Sequence, residues 1–82
     1  MYENPIETVA IIGLGYVGLP LAIAFAEKKI KVIGIDKDPN KIDMLREGKS
    51  YIEDISNEEL RVNMGYFYPT TDFSFLSSVN NV

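Results

Sequence analysis

The chain has 82 residues, enough for one small domain, and its 46% hydrophobic and 24% charged residues are ordinary for a soluble globular protein. A net charge of −4 argues against a nucleic-acid surface, which shows a basic face or stripe. With no cysteine and no histidine, the chain has no disulfide framework, no thiolate nucleophile, none of the usual zinc sites and no histidine-based triad.

Met1 to Glu7 are mostly polar and include Pro5, so they do not read as a signal peptide, and no apolar run approaches membrane-spanning length. The expectation is a cytoplasmic protein with neither a membrane nor a nucleic-acid partner. Thr8 to Ile12 is β-branched and apolar with almost no alternation, the pattern of a parallel strand covered on both faces. Gly13 to Gly18 form a turn. From Val17 to Lys29 the spacing is helical, with Val17, Leu21, Ala24 and Phe25 able to share a face beside small Ala22 and Ala26. Pro20 is tolerated in the first turn, where its missing N–H has no required partner. Lys28 and Lys29 suit the negative end of the helix dipole.

Lys31 to Asp36 reads as a second strand carrying Val32, Ile33 and Ile35. Asp38-Pro39 is a helix start, Ile42 and Leu45 continue that helix, and Gly48 ends it. Ser56 and Glu59 have capping-box spacing for a third helix. Leu60 and Met64 share its apolar face, Val62 falls off it, and Gly65 stops it. Phe67 to Thr71 is a third strand, which Pro69 assigns to the edge of the sheet. Asp72 caps a short final helix through Leu76.

Strands alternating with helices imply a parallel sheet. The fold class is α/β: a truncated Rossmann-like half-domain of about three strands with flanking helices. A doubly wound nucleotide domain needs strands on both sides of its first strand, and Asn80-Asn81-Val82 falls where the next strand should begin. Residues 1–82 are therefore expected to be the N-terminal part of a larger domain, with strands on one side of the first strand only. The other side would offer an apolar edge for self-association. The alternative is a complete three-stranded mini-domain.

The chemistry lies where the first strand ends. Gly13, Gly15 and Gly18 have G-x-G-x-x-G spacing, and Asp36 closes the second strand eighteen residues after the third glycine. Glycines alone carry little weight, but strand, glycine turn, helix, strand and terminal acid together form a dinucleotide-binding fingerprint. Gly13 allows the tight turn, Gly15 lets backbone approach a pyrophosphate, and Gly18 lets the helix pack closely on the strand. N–H groups around Tyr16 and Val17 would meet the phosphates at a helix N-terminus. Asp36 would accept from the ribose hydroxyls and repel a 2′-phosphate, favouring NAD over NADP. Lys37 and Lys41 pull slightly the other way. Tyr51, Tyr66, Tyr68, Phe67, Phe73 and Phe75 read as core or interface filler rather than base-stacking groups. Glu53, Asp54, Glu58 and Glu59 read as a solvated acidic stretch rather than a metal site.

The segment Gly13-Leu-Gly-Tyr-Val-Gly-Leu-Pro-Leu-Ala22 closely resembles the opening of the UDP-glucose/GDP-mannose dehydrogenase family. Gly48-Lys-Ser-Tyr-Ile-Glu-Asp-Ile55 and Phe67-Tyr-Pro-Thr-Thr-Asp-Phe73 extend the likeness, which is greatest for the UDP-N-acetylglucosamine 6-dehydrogenase branch. UDP-glucose members tend to have a Glu-Pro-Gly-Leu run near Ile52 to Ile55. The resemblance implies a two-step, NAD-dependent oxidation of a sugar C6 alcohol to a carboxylate, feeding bacterial surface-polysaccharide synthesis. It places NAD against Gly13, Leu14, Gly15, Tyr16, Val17 and Gly18, with Asp36 and Lys41. It puts the catalytic cysteine, lysine and sugar-binding residues far downstream, so this chain supplies no catalytic residue and is expected to be inactive by itself. Two other readings remain: another dehydrogenase built on the same unit, of hydroxyacid or 6-phosphogluconate type, and a non-enzymatic nucleotide sensor.

Overall fold

The structure, a computed structural model, describes residues 8–74 and the backbone of residues 80–81. The elements in chain order are β1 (Thr8–Ile12), α1 (Gly18–Glu27), β2 (Lys31–Ile35), α2 (Pro39–Arg46), α3 (Asn57–Asn63), β3 (Phe67–Thr70) and β4 (Asn80–Asn81). The sheet has the order β3-β2-β1-β4 and every pairing is parallel.

Register explains the core. Val9 lies beside Val32, and Val32 beside Phe67, so three apolar side chains from three strands share one face. Ile11 lies beside Gly34 in the next row. This face joins one core cluster with Leu14, Leu19, Ile23, Ile42, Leu45 and Leu60, drawn from the glycine turn and all three helices. On the opposite face Ile12 and Tyr68 are about half exposed, so the cover expected on both faces of β1 is incomplete at its C-terminal end.

The apolar stripe of α1 differs from the sequence expectation. Leu19, Ala22, Ile23 and Ala26 are buried, whereas Val17 is 80% exposed and Leu21 38%. Two stripes of helical spacing coexist in this segment, and close packing of Gly18 selects between them. Gly18, Ala22 and Ala26 are spaced by four, so turning this row of small residues inward brings the helix axis close to the strands. The helix also begins at Gly18 rather than Val17 and ends at Glu27. Lys28 is its C-cap and Lys29 adopts φ 65°, so both lysines lie just past the last turn.

The caps of the other helices match expectation. Asp38 accepts from the Asn40 N–H at 2.9 Å, and Ser56 Oγ accepts from the Glu59 N–H at 3.0 Å. Leu60 is fully buried, Met64 packs against the core from a partly buried position, and Val62 is exposed. β3 is an edge strand, where Pro69 lacks nothing by having no N–H to give. Asp72 accepts from the Ser74 N–H at 2.9 Å, opening a single turn; the helix expected onward to Leu76 lies outside the described residues. One correction concerns topology. Asn80 and Asn81 pair with Val9 and Ala10, so the chain supplies a short fourth strand on the side of β1 expected to be empty.

Candidate cofactor site

The site forms where β1 and β2 end and α1 begins. Gly13 adopts φ 90°, a conformation that side chains rarely take, and its N–H donates to the Ile35 carbonyl at 2.7 Å. The turn is thereby tied to the end of β2. At Gly18 a Cβ would lie 1.7 Å from the Gly13 carbonyl oxygen and 2.9 Å from its carbon, so the helix start touches the turn backbone directly. Gly15 differs. A Cβ there would meet nothing within 4 Å. Close packing within the protein therefore does not explain Gly15, and open space beside its backbone suits the passage of a pyrophosphate.

The N-terminus of α1 is open to an anion. Its N-cap, Val17, makes no side-chain capping bond, and the first turn carries no acid. The N–H groups of Gly15, Tyr16 and Val17 find no acceptor among the described residues. Orphan donors at a positive dipole end are what a phosphate requires. Tyr16 and Val17, both 80% exposed, contribute backbone here rather than packed side chains.

Asp36, just past β2, is only 9% exposed. Its Oδ2 accepts from the Leu14 N–H at 2.9 Å and its Oδ1 accepts from the Asp38 N–H at 2.9 Å. Lys41, from α2, brings Nζ to 3.9 Å from Oδ2. Burial raises the carboxyl pKa, but the bonds from Leu14 and Asp38, with the charges of Lys41 and Lys37, outweigh it and hold Asp36 below the usual carboxylate range. Hydrogen bonds to a charged acceptor contribute about 1.5–3 kcal/mol each, whereas a partly exposed ion pair adds at most about 1 kcal/mol. The two backbone donors therefore dominate. Asp36 stays ionised with lone pairs to spare, since a carboxylate has about four acceptor positions.

Leu14 has a place that its spacing did not reveal. Its side chain is fully buried, its N–H goes to Asp36, and its carbonyl accepts from the Tyr51 hydroxyl at 2.6 Å. It faces the protein and fixes the turn from beneath. Tyr51, in the connection between α2 and α3, is the site neighbour that composition alone assigned to filler. The Lys41 ammonium lies 5.8 Å from its ring centroid. Burial, with the charges of Asp36 and Asp38, pushes the Tyr51 phenol up to about 12, so it remains a donor at neutral pH. The signal that points to it is its place in the Gly48 to Ile55 segment, which carried the family likeness.

Ile12, Asp36, Lys37, Lys41 and Phe73 line one depression beside the turn. Gly15, Val17, Gly18 and Leu21 line a second depression over the start of α1, and the two share Ile12 and Gly13. An acid at one end and open backbone donors at the other give an elongated surface suited to a ribose followed by a pyrophosphate. Among the described residues no cluster of acids is placed to hold a metal ion.

Parallel βαβ topology, a glycine turn at an uncapped helix and a carboxylate at the end of β2 define a dinucleotide-binding unit. The UDP-glucose/GDP-mannose dehydrogenase family, NAD binding domain, matches residues 7–80. The chain belongs to this family, its match falling in the NAD-binding domain, and NAD is its cofactor. It is 44% identical over 71 residues to UDP-N-acetyl-D-mannosamine dehydrogenase of Campylobacter jejuni, covering 83% of this chain and 17% of that protein. Its fold is similar to that of UDP-D-ManNAc dehydrogenase from Pyrococcus horikoshii, with a TM-score of 0.80 and 32% identity over 89% of this chain and 18% of the other. GDP-mannose dehydrogenase from Pseudomonas aeruginosa, solved as a ternary complex, gives a TM-score of 0.73 and 38% identity over 79% and 16% of the two chains. The chain spans about a sixth of the length of these relatives.

Proposed function

We propose that residues 1–82 supply the N-terminal, NAD-holding part of a nucleotide-sugar 6-dehydrogenase that oxidises the C6 alcohol of a UDP-sugar to a carboxylate in two NAD-dependent steps. The observation that carries this reading is the ionised Asp36 at the end of β2, set beside a glycine turn in which the N–H groups of Gly15, Tyr16 and Val17 find no acceptor among the described residues. In it, Gly13, Gly15 and Gly18 shape the path of the pyrophosphate, and the N–H groups of Tyr16 and Val17 meet its charge. Asp36 accepts from the adenosine ribose hydroxyls, with Lys41 beside it and Leu14 anchoring the turn. NAD supplies the hydride acceptor when bound. The chain itself binds and orients, since it contains no cysteine to act as a nucleophile.

The Gly48 to Ile55 likeness favours UDP-N-acetylglucosamine as the sugar. The relatives named for UDP-N-acetyl-D-mannosamine and NDP-N-acetyl-D-galactosaminuronic acid point to the same chemical class, an N-acetylated amino sugar on a nucleoside diphosphate. A cytoplasmic location fits a reaction on nucleotide sugars. Among the described residues no helix is long and apolar enough to cross a membrane. Among the described residues β4 pairs with Val9 and Ala10 alone, which leaves the C-terminal half of β1 as an edge on which a second copy could pair.

Calorimetric titration tests the binding part: NAD binds more tightly than NADP, and tighter NADP binding overturns the ribose assignment. Absorbance at the NADH band tests the rest. With NAD and UDP-N-acetylglucosamine, UDP-N-acetylmannosamine or UDP-glucose, the 82-residue chain forms no NADH by itself. The whole enzyme containing it does so with one of the N-acetylated sugars, and exclusive use of UDP-glucose would refute the sugar class.

A further inference from the structure

Tyr51 does more than packing demands. A phenylalanine would fill its half-buried place against the core equally well, yet its hydroxyl reaches the Leu14 carbonyl at 2.6 Å, 37 residues away in sequence. Leu14 is thereby held at both ends of its peptide, by Asp36 at the N–H and by Tyr51 at the carbonyl. The same ring lies 5.8 Å from Lys41 Nζ, which is also 3.9 Å from Asp36 Oδ2. One side chain thus touches both halves of the site, the turn that receives the pyrophosphate and the acid–ammonium pair that receives the ribose.

Lysine is a mobile point charge on a four-carbon stem, and an ion pair this open to solvent restrains it weakly. An aromatic face supplies a second restraint. We propose that Tyr51 is a positioning and specificity-determining residue for the cofactor: its hydroxyl sets the glycine turn through Leu14, and its ring keeps the Lys41 ammonium on Asp36 and away from a 2′-phosphate. Asp36 then acts against NADP, and the nearest cation on α2 is not free to compensate. The proposal rests on Asp36 being the ribose acceptor. Lys37 also lines this depression. It is exposed and touches neither Tyr51 nor Leu14 in any described contact, so its pull on a phosphate is common to every variant below.

The two contacts separate by substitution. Tyr51→Phe keeps the ring and removes the hydroxyl. Tyr51→Met and Tyr51→Leu remove both while refilling the core, and having two such variants covers the failure of either to fold. NAD and NADP are each titrated by calorimetry onto all three, the parent protein and Asp36→Ala, with the folded fraction read from circular dichroism. Tyr51→Phe is expected to weaken both cofactors by about tenfold, the equivalent of one hydrogen bond, leaving their ratio unchanged. Tyr51→Met and Tyr51→Leu are expected to lower the preference for NAD over NADP by a further factor of about five, the equivalent of an exposed cation–π contact. Partial unfolding weakens both cofactors by one factor, so it cannot move that ratio. An unchanged ratio in the ring-less variants overturns the role in cofactor choice, and parent-like affinity in Tyr51→Phe overturns the role through Leu14. Undiminished NAD binding by Asp36→Ala refutes the ribose reading itself, separately from Tyr51.

Discussion

Gly15 and Gly18 are three residues apart in one turn, and the structure assigns them opposite sensitivities. In Gly18→Ala the new Cβ would sit 1.7 Å from the Gly13 carbonyl oxygen, and no flexible side chain is there to yield. The backbones of β1 and α1 must separate by more than an ångström, which strains Gly13 and breaks the close packing of the row that Gly18 begins. Overpacking costs about 1–3 kcal/mol, and a clash of backbone on Cβ belongs at the upper end, about 3 kcal/mol. At about 4–8 °C per kcal/mol for a domain of this size, the melting temperature should fall by roughly 12–24 °C. In Gly15→Ala the Cβ meets no protein atom within 4 Å, and the residue has no positive φ to forbid alanine. Its melting temperature should stay within about 4 °C of the parent, since substitutions free of such clashes move stability by about 0.5 kcal/mol or less. NAD affinity should nevertheless fall by about tenfold or more, because the methyl group enters the space assigned to the pyrophosphate. Thermal unfolding followed by circular dichroism and calorimetric titration of NAD read the two effects separately. A Gly18→Ala protein as stable as the parent would refute the packing argument. A Gly15→Ala protein with undiminished NAD affinity would refute the placing of the pyrophosphate.

Three further outcomes follow from the same contacts. Asp36→Asn leaves one of the two N–H donors, Leu14 or Asp38, without a good acceptor and should lose about 1–3 kcal/mol in urea unfolding at pH 7. The sign with pH follows from the lowered carboxyl pKa: ionised Asp36 stabilises the fold above the ordinary value of 3.8, and that contribution disappears as the pH falls below it. The gap between parent and Asp36→Asn should therefore narrow in acid, and a gap that widens there would contradict the assignment. Ser56→Ala removes the acceptor for the Glu59 N–H and should cost about 1 kcal/mol by urea unfolding, with NAD affinity unchanged because Ser56 lines neither depression of the site. Leu60→Ala empties a fully buried position and should cost about 2–5 kcal/mol, whereas Val62→Ser on the exposed side of the same helix should be nearly neutral.

Local sequence determined what depends on local physics. The β-branched run before Gly13 could be read directly as a strand, because such residues favour extended backbone and pack well on a pleated surface. Asp38-Pro39 and Ser56 marked helix starts because a side-chain oxygen satisfies N–H groups only two or three residues ahead. The glycine spacing with Asp36 gave the class of ligand, since one short turn and one strand end carry most of that chemistry.

What only the tertiary structure decided involves choices between equals or partners far apart in sequence. Two stripes of the same spacing run along α1, and the contact of Gly18 with Gly13 settled which one turns inward. At Gly34, within β2, a Cβ would lie 2.6 Å from the Phe67 ring and 2.9 Å from the Leu14 side chain, so its absence admits both. Fold class placed the next strand at Asn80-Asn81-Val82, but the pairing of Asn80 and Asn81 with β1 rests on backbone hydrogen bonding, which two asparagines do not advertise. Tyr51 could not be told from filler because its partners, Leu14 and Lys41, are joined to it by the packing of the turn and α2 rather than by any spacing along the chain. Sequence supplied the glycine turn and its acid, and the fold supplied the side chains that hold both in place.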